Sequence, residues 1–305
     1  MELAQSIHTL PLNPVPLAGV LPTLSPLKKA LSEVQKTEPT ETKGANLQVS
    51  LASPSDLEEI YRLRYEVFFE ELKAHDLLCD LLRKDQDQFD AISDHLVVKD
   101  RQSNRVVGTY RMMPWNRLKS RGLSTYCAQE FDLTYFPGAT SGQILELGRS
   151  CVHPQYRQGT VPLLLWGGLA QYIQINGFSG LLGCVSVYGV NDIQALKLAQ
   201  YLQKTGNWTQ GIQCPARLPL PEIDSQKMES EILPSLPPLF KGYLNLGAKV
   251  CGGPVFDPSF GCHDFLVYLN MAQVNPRTLN VLSKVSSGFT ASFQSRGHCG
   301  DQWEG

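Results

Sequence analysis

Charge is scarce in this chain: 18% of its 305 residues are charged, and the formal net charge is −2. Without a basic excess there is no whole-molecule attraction to nucleic acid, and binding to DNA or RNA is not expected. Cysteine is thin as well. The eight cysteines (79, 127, 151, 184, 214, 251, 262 and 299) stand at irregular intervals with no C-x-x-C pair. Neither a disulfide framework nor a metal site is indicated, and reduced thiols are expected; Cys262-His263 and His298-Cys299 lack the close pairs that a zinc site uses. Nor is there a long apolar run free of breakers. Leu10 to Leu27 holds Pro11, Pro14, Pro16, Pro22 and Pro26, a spacing that no membrane-spanning helix survives. The N-terminus lacks the basic start, continuous apolar stretch and small-residue cleavage site of a secretion signal, so a cytoplasmic location is expected. No internal repeat is visible.

With 42% hydrophobic residues, the chain can bury a large core. Residues 1–45 combine prolines with T-E-P-T-E-T-K-G and show one short helical pattern near Leu27 to Val34; a flexible, proline-rich arm is expected there. Residues 46–275 are expected to form one domain. Residues 276–305, rich in Ser and Gly from about Ser286, are expected to be a loose C-terminal extension.

Within the domain, Leu47 to Ala52 reads as a short strand. Ser53-Pro54 then opens a helix to about Leu72, the serine suited to capping and the proline to the first turn. The stripe Leu57, Ile60, Tyr61 and Phe68 encloses Arg64, a cation on the inner face that needs a partner. His95 to Lys99 and Arg105 to Met112 flank a polar turn and read as a hairpin. A strand from Gln143 to Val152, a helix from Pro162 to Asn176 stopped by Gly177, and a buried strand from Gly180 to Tyr188 follow. A helix capped by Asp192, a short helix from Leu239 to Leu246 and a strand from Asp264 to Met271 complete the pattern. A hairpin followed by alternating strands and helices makes an α/β domain with a mixed, largely antiparallel central sheet flanked by helices.

The segment from Glu146 to Gly159, E-L-G-R-S-C-V-H-P-Q-Y-R-Q-G, is the most informative. An apolar strand there carries an acid and a base into a glycine turn at a helix start. Backbone N–H groups at such a turn can hold a phosphate or the oxygen of a reacting carbonyl, which suggests group transfer. A carboxylate in the apolar surroundings of Glu146 tends to a raised pKa and suits a general base for an ammonium group; equally, it could be paired with Arg149 or another base to fix the strand. Arg149 would point to the opposite face of a regular strand unless a bulge at Gly148 intervenes.

Arg157 to Val161 has the character of an anion-binding turn and also of a plain helix start. Cys151 has no histidine partner except His153 on its own strand and reads as a packing residue. Asp85, Asp87 and Asp90 make either a solvated loop or a cluster that binds an amine and orients Arg64 or Arg111. Calcium is not expected there, because the glycine and terminal glutamate of the helix-loop-helix site are missing. Arg111, beside Pro114 and Trp115, reads on its own as an ordinary edge arginine.

Several segments taken together carry a resemblance: Y-R-L-R-Y-E-V-F-F-E-E from Tyr61, D-Q-F-D-A-I-S-D-H from Asp87, V-V-G-T-Y-R from Val106, and the Glu146 segment. Two more are L-P-P-L-F-K-G-Y-L-N-L-G from Leu236 and F-D-P-S-F-G-C-H-D-F-L from Phe256. Over about residues 55–275 the chain resembles the N-acyltransferases of the GNAT superfamily that make ornithine lipids, relatives of the acyl-homoserine-lactone synthases and N-acyl amino acid synthases. The last two segments are similar to the ornithine-acylating branch.

The resemblance implies a GNAT-like fold. It implies transfer of a fatty, 3-hydroxy acyl group from acyl carrier protein, where it is held as a phosphopantetheine thioester, to the α-amino group of ornithine, giving lyso-ornithine lipid. Another N-acyl amino acid, an acyl-homoserine-lactone-like signal, or a non-catalytic acyl- or carrier-binding role are the alternatives. No bound cofactor and no metal are implied. Glu146 would accept the amine proton, directly or through water. Arg64, Phe68, Asp85, Asp87, Asp90, Arg111 and Arg149 would form the substrate side. Cys151 and Val152 would offer a backbone N–H to the thioester carbonyl, and Arg157, Gly159 and Thr160 would face the phosphopantetheine phosphate. The single glycine after Arg157 departs from the longer glycine turn of simple acetyltransferases and points to a carrier-protein donor rather than free acetyl-CoA. An amphiphilic product also implies peripheral contact with the inner membrane face.

Overall fold

The computed structural model describes residues 46–287 apart from 138–142, 223–227 and 229. The expected arm and the tail beyond residue 287 lie outside the described residues.

Seven strands form one sheet: β1 (Leu47–Leu51), β2 (Asp94–Asp100), β3 (Arg105–Pro114), β4 (Ile144–Val152), β5 (Gly180–Tyr188), β6 (Lys249–Asp257) and β7 (Cys262–Asn270). The order across the sheet is β1-β2-β3-β4-β5-β7-β6, and every neighbouring pair is antiparallel except β4 with β5. The expected mixed, mostly antiparallel sheet is what the chain forms. Its helices are α1 (Leu57–Tyr65), α2 (Leu77–Leu82), α3 (Trp115–Ser120), α4 (Thr160–Asn176), α5 (Asp192–Lys204), α6 (Pro238–Asn245) and α7 (Pro276–Ser287).

Strand alternation divides the core. Leu96 and Val98 of β2 pack with α4, α6 and α7, whereas Val97 between them packs with α1. Helix α4 is nearly apolar all round because it is sandwiched; it lies on the sheet and under α7, where Gln171 Nε2 donates to Ser283 O at 2.9 Å. Gly177 ends it in the left-handed region, φ +68°.

Sequence and structure differ at several places. Past Tyr65 the first helix widens into a π-helical turn, Glu66–Glu71, which turns Phe68 and Phe69 inward. Asn191 rather than Asp192 caps α5, its Oδ1 accepting from Gln194 N at 2.9 Å. Strand β6 is hidden in the sequence because Gly252, Gly253 and Pro254 interrupt its alternation. The extension expected from residue 276 begins with α7, which docks on α4.

Candidate active site

The parallel pairing of β4 with β5 is short. Ile144, Leu145 and Glu146 of β4 lie beside Gly180, Leu181 and Leu182 of β5, and beyond them the strands part. Gly183 stands at the fork, where a Cβ would sit 2.6 Å from the carbonyl oxygen of Leu147, so only glycine fits this approach. Past the fork a cavity of about 880 Å³ opens between Leu147–Ser150 and Leu181–Val190. Leu239, Val267 and Leu269 make its wall apolar, Tyr110 and Tyr243 meet there through their hydroxyls, and Phe68, Asp257, Phe260 and Asp264 line one end.

A second cavity of about 450 Å³ is the more polar of the two, with Asp85, Gln86, Asp87, Gln88, Gln129, Glu130 and Arg217 in its wall beside apolar residues such as Phe69, Val255 and Phe256. Tyr126, Arg149, Asp257 and Phe260 line both cavities. The two spaces therefore share a boundary built from an aromatic pair, one cation and one acid.

Arg149 reaches that boundary through a bulge. Thr109 pairs with Cys151 and Arg111 with Gly148, so β4 spends one residue more than β3, and Arg149 takes φ +45°. A non-glycine residue in this region is held there by its side-chain contacts. The Arg149 guanidinium donates to Asp85 Oδ2 at 3.1 Å and Asp87 Oδ2 at 3.5 Å, and lies over the rings of Phe260 and Tyr126. It makes no ion pair with Glu146. The bulge redirects Arg149 toward the acids and does not join it to Glu146.

The three aspartates do not form a solvated loop. Arg64, fully buried, donates to Asp85 at 3.0 Å and to Asp90 at 2.6 Å, and Arg111 donates to Asp87 at 2.6 Å and Asp90 at 3.2 Å. Three arginines and three aspartates thus neutralise one another. Burial alone would raise the Asp85 and Asp90 carboxyls, but the guanidiniums outweigh it and hold both below the usual carboxylate range. His95, next to Asp90, is pushed down to about 4, chiefly by burial. Within the network only Asp85, Asp87 and Arg149 touch a cavity; Arg64, Asp90 and Arg111 support them from behind.

Glu146 is buried and lines neither cavity. Its Oε2 accepts from Trp115 Nε1 and its Oε1 from the Cys127 backbone N, both at 2.8 Å. Burial raises its pKa against the opposing effect of those donors. Cys151 sits in the core against α1, where burial pushes its thiol up to about 12, as suits a packing residue and not a nucleophile. The cavity wall is Leu147–Ser150, not Cys151 and Val152. Arg157 spends its guanidinium on Glu71, at 2.6 and 2.5 Å, and on the Val152 carbonyl, while Gly159 and Thr160, at the start of α4, line neither cavity.

The sequence reading missed Tyr126, Glu130, Asp257, Phe260 and Asp264. A signal existed for the last three, which all lie in the F-D-P-S-F-G-C-H-D-F-L segment, where Asp264 precedes the otherwise apolar run Phe265–Leu269. Tyr126 and Glu130 lie in a stretch with no periodicity. Glu130 and Asp264 carry raised pKa values, about 9 and about 6, set first by burial and then by neighbouring carboxylates.

Residues 63–167 match the family model described as an acetyltransferase (GNAT) domain. An L-ornithine N(alpha)-acyltransferase of Brucella abortus is 32% identical over 257 residues, covering 80% of this chain and 91% of that protein. Another, from Rhodobacter capsulatus, is 35% identical over 241 residues, 74% of this chain and 91% of the relative. Among solved structures, a CoA-dependent acyl-homoserine lactone synthase, BjaI, aligns at 14% identity and a TM-score of 0.46, over 79% of this chain and 90% of that one.

Proposed function

The chain belongs to the L-ornithine Nα-acyltransferase family, and from that premise we propose that it transfers a 3-hydroxy fatty acyl group from acyl carrier protein to the α-amino group of ornithine, yielding lyso-ornithine lipid. The observation that carries this reading is the pair of cavities, one mainly apolar and one richer in polar side chains, meeting at Tyr126, Arg149, Asp257 and Phe260. The apolar space suits the acyl chain and pantetheine arm, entering where β4 and β5 part. Backbone N–H groups along the parted strands are the donors this reading assigns to the thioester carbonyl. The polar space, with acids for ammonium groups and Arg149 and Arg217 for a carboxylate, suits a diamino acid.

In this reading Arg64, Asp90 and Arg111 are positioning residues, since they hold Asp85, Asp87 and Arg149 rather than meet the substrate. Phe68 closes the acyl end against Phe260, their rings edge to face at 5.7 Å. Arg157, Gly159 and Thr160 present the start of α4 to the phosphopantetheine phosphate from outside the cavities. Glu146, whose oxygens are held by Trp115 and Cys127 and which lines neither cavity, can reach the amine proton only through an intervening group.

Peripheral membrane contact belongs to the same proposal. Among the described residues no helix is long and apolar enough to cross a membrane. Helix α2 nevertheless turns Leu77, Leu78, Leu81 and Leu82 to solvent, Leu77 at 91% and Leu81 at 80% exposure, and buries only Cys79. An apolar patch of this kind suits the surface that receives an amphiphilic product.

Purified protein with 3-hydroxytetradecanoyl-acyl carrier protein and a panel of amines, read by mass spectrometry, tests the reading. An N-acylornithine product is expected. Products from another amino acid or from S-adenosylmethionine, with none from ornithine, would move the chain to a different acceptor. Stable binding of the acyl carrier without turnover would make it a binding protein.

A further inference from the structure

The reaction needs a proton acceptor that faces the amine, because at neutral pH the attacking nitrogen arrives as an ammonium. Glu146 does not face either cavity. Asp264 does: it lies in the wall of the acyl cavity and is only 3% exposed. Glu130 lines the polar cavity from the other side. One carboxyl oxygen of each, with Cys184 Sγ, lies within 4.8 Å of the others. The two carboxyl groups therefore meet across the partition between donor and acceptor spaces.

Their other contacts fit a group left available for proton transfer. Arg149, whose charge is felt at Asp264, pairs with Asp85 and Asp87 instead. Asp264 takes only a weak Cys262 Sγ contact at 3.6 Å and a hydroxyl hydrogen bond from Ser186; Glu130 takes Cys184 Sγ at 3.8 Å. No fixed guanidinium or ammonium neutralises either one among these contacts.

We propose, resting on the acyl-transfer reading above, that Asp264 is the catalytic base that takes the proton from the acceptor's α-ammonium, and that Glu130 shares this proton across the partition. The ammonium gives one proton to the Asp264 carboxylate, and the neutral nitrogen attacks the thioester carbon. The C–N bond forms as the carbonyl π electrons move onto oxygen. On collapse the C–S bond breaks, its electron pair leaves with sulfur, and the second nitrogen proton goes to the departing thiolate. The products are an amide and a free thiol, with the first proton released to solvent through the carboxyl pair.

The electrostatics agree with this placement. Burial, then the Asp257 carboxylate, raise Asp264 to about 6, so it is ionised at neutral pH and still basic enough to accept. Glu130, at about 9, keeps its proton there. Tyr126, Tyr188, Cys127, Cys184 and Cys262 beside them are all raised and stay neutral.

The test compares wild type, Asp264→Asn, Glu130→Gln and Glu146→Gln with 3-hydroxytetradecanoyl-acyl carrier protein as donor. Each is given two acceptors, the amino acid that wild type acylates best and hydroxylamine, which is neutral at pH 7.5 and needs no base. Asp264→Asn is expected to lose about 10²- to 10⁴-fold in kcat/KM with the amino acid, to lose far less with hydroxylamine, and to keep the donor KM. The acid limb of the wild-type kcat/KM profile is expected near pH 6 and should move to lower pH in a further variant, Asp257→Asn, which removes the carboxylate that raises Asp264. That shift decides the matter if Asp264→Asn does not fold. Equal losses on both acceptors, an unmoved acid limb, or a tenfold or smaller loss in Asp264→Asn beside inactivation of Glu146→Gln would overturn the assignment. So would loss of wild-type activity on chelation that added zinc restores, since the two carboxyls and Cys184 would then be holding a metal. A wild type that acylates some other amino acid would refute ornithine as acceptor and leave the variant ratios to judge Asp264.

Discussion

The guanidinium of Arg149 lies 4.5 Å over the ring of Phe260, and these two side chains form part of the sill between the cavities. A cation on a ring is held in place without losing its remaining donors, which go to Asp85 and Asp87. The same residue thus fixes the acid loop and borders both substrate spaces.

Arg149→Lys should therefore be far from conservative. A lysine cannot bond Asp85 and Asp87 together while lying flat on Phe260. We expect a loss of about 10- to 100-fold in kcat/KM for the amine, corresponding to about 1.4–2.8 kcal/mol, with a smaller change in the donor KM. Steady-state kinetics with each substrate varied checks this.

Removing Arg64 should cost fold rather than chemistry. It is fully buried between Asp85 and Asp90, and breaking a buried ion network by deleting one partner costs about 3–5 kcal/mol. Arg64→Leu is expected to lower the urea midpoint strongly, while Arg157→Leu, which breaks the more exposed pair with Glu71, should lower it less.

Acid should act on stability through opposed sets of buried groups. His95 has a folded-state pKa of about 4 against an ordinary 6.5, so its own contribution falls as pH drops from about 6.5 to 4, while Glu130 and Asp264, raised in the folded state, contribute in the opposite direction over that window. Asp85 and Asp90 have depressed folded-state values; their contribution is present above the ordinary carboxylate pKa and is lost as pH falls below about 4. Thermal melts of wild type and His95→Gln from pH 8 to 3 should diverge between pH 6.5 and 4, with the variant losing less, and both should fall below about pH 4.

Gly183→Ala should close the fork. Its Cβ would stand 2.6 Å from the Leu147 carbonyl oxygen, and overpacking of this kind costs about 1–3 kcal/mol. The expected outcome is a modestly lower melting temperature together with a raised donor KM. A raised amine KM with an unchanged donor KM would count against donor entry at the fork.

The α2 leucines should act at a bilayer and nowhere else. Leu77→Ser with Leu81→Ser is expected to reduce flotation with phosphatidylglycerol vesicles several-fold and to leave the melting temperature unchanged, because both side chains are exposed. Unchanged flotation would exclude this helix as the contact.

Much of the scaffold was legible because its signals are local. The hairpin of β2 and β3, the Gly177 stop and the buried strand β5 each follow from periodicity or turn chemistry over a few residues. Arg64 in the stripe of α1 demanded an acid, and Asp85 and Asp90 answer it. β6 was illegible because Gly252, Gly253 and Pro254 break the alternation on which strand reading depends. Helix α2 was hidden for the opposite reason: its apolar residues face solvent.

By itself, the sequence determined most of the order of elements, the need of Arg64 for an acid and the family. Only the tertiary structure decided which side chains meet a substrate. A single extra residue in β4 turned Arg149 toward the acids while Glu146 went to Trp115 and Cys127. The short pairing of β4 with β5 left a fork that no local pattern announces. Glu130 and Asp264, far apart along the chain, meet there. Periodicity records which face of an element is apolar; a cavity arises where elements fail to pair, and that depends on contacts between distant segments.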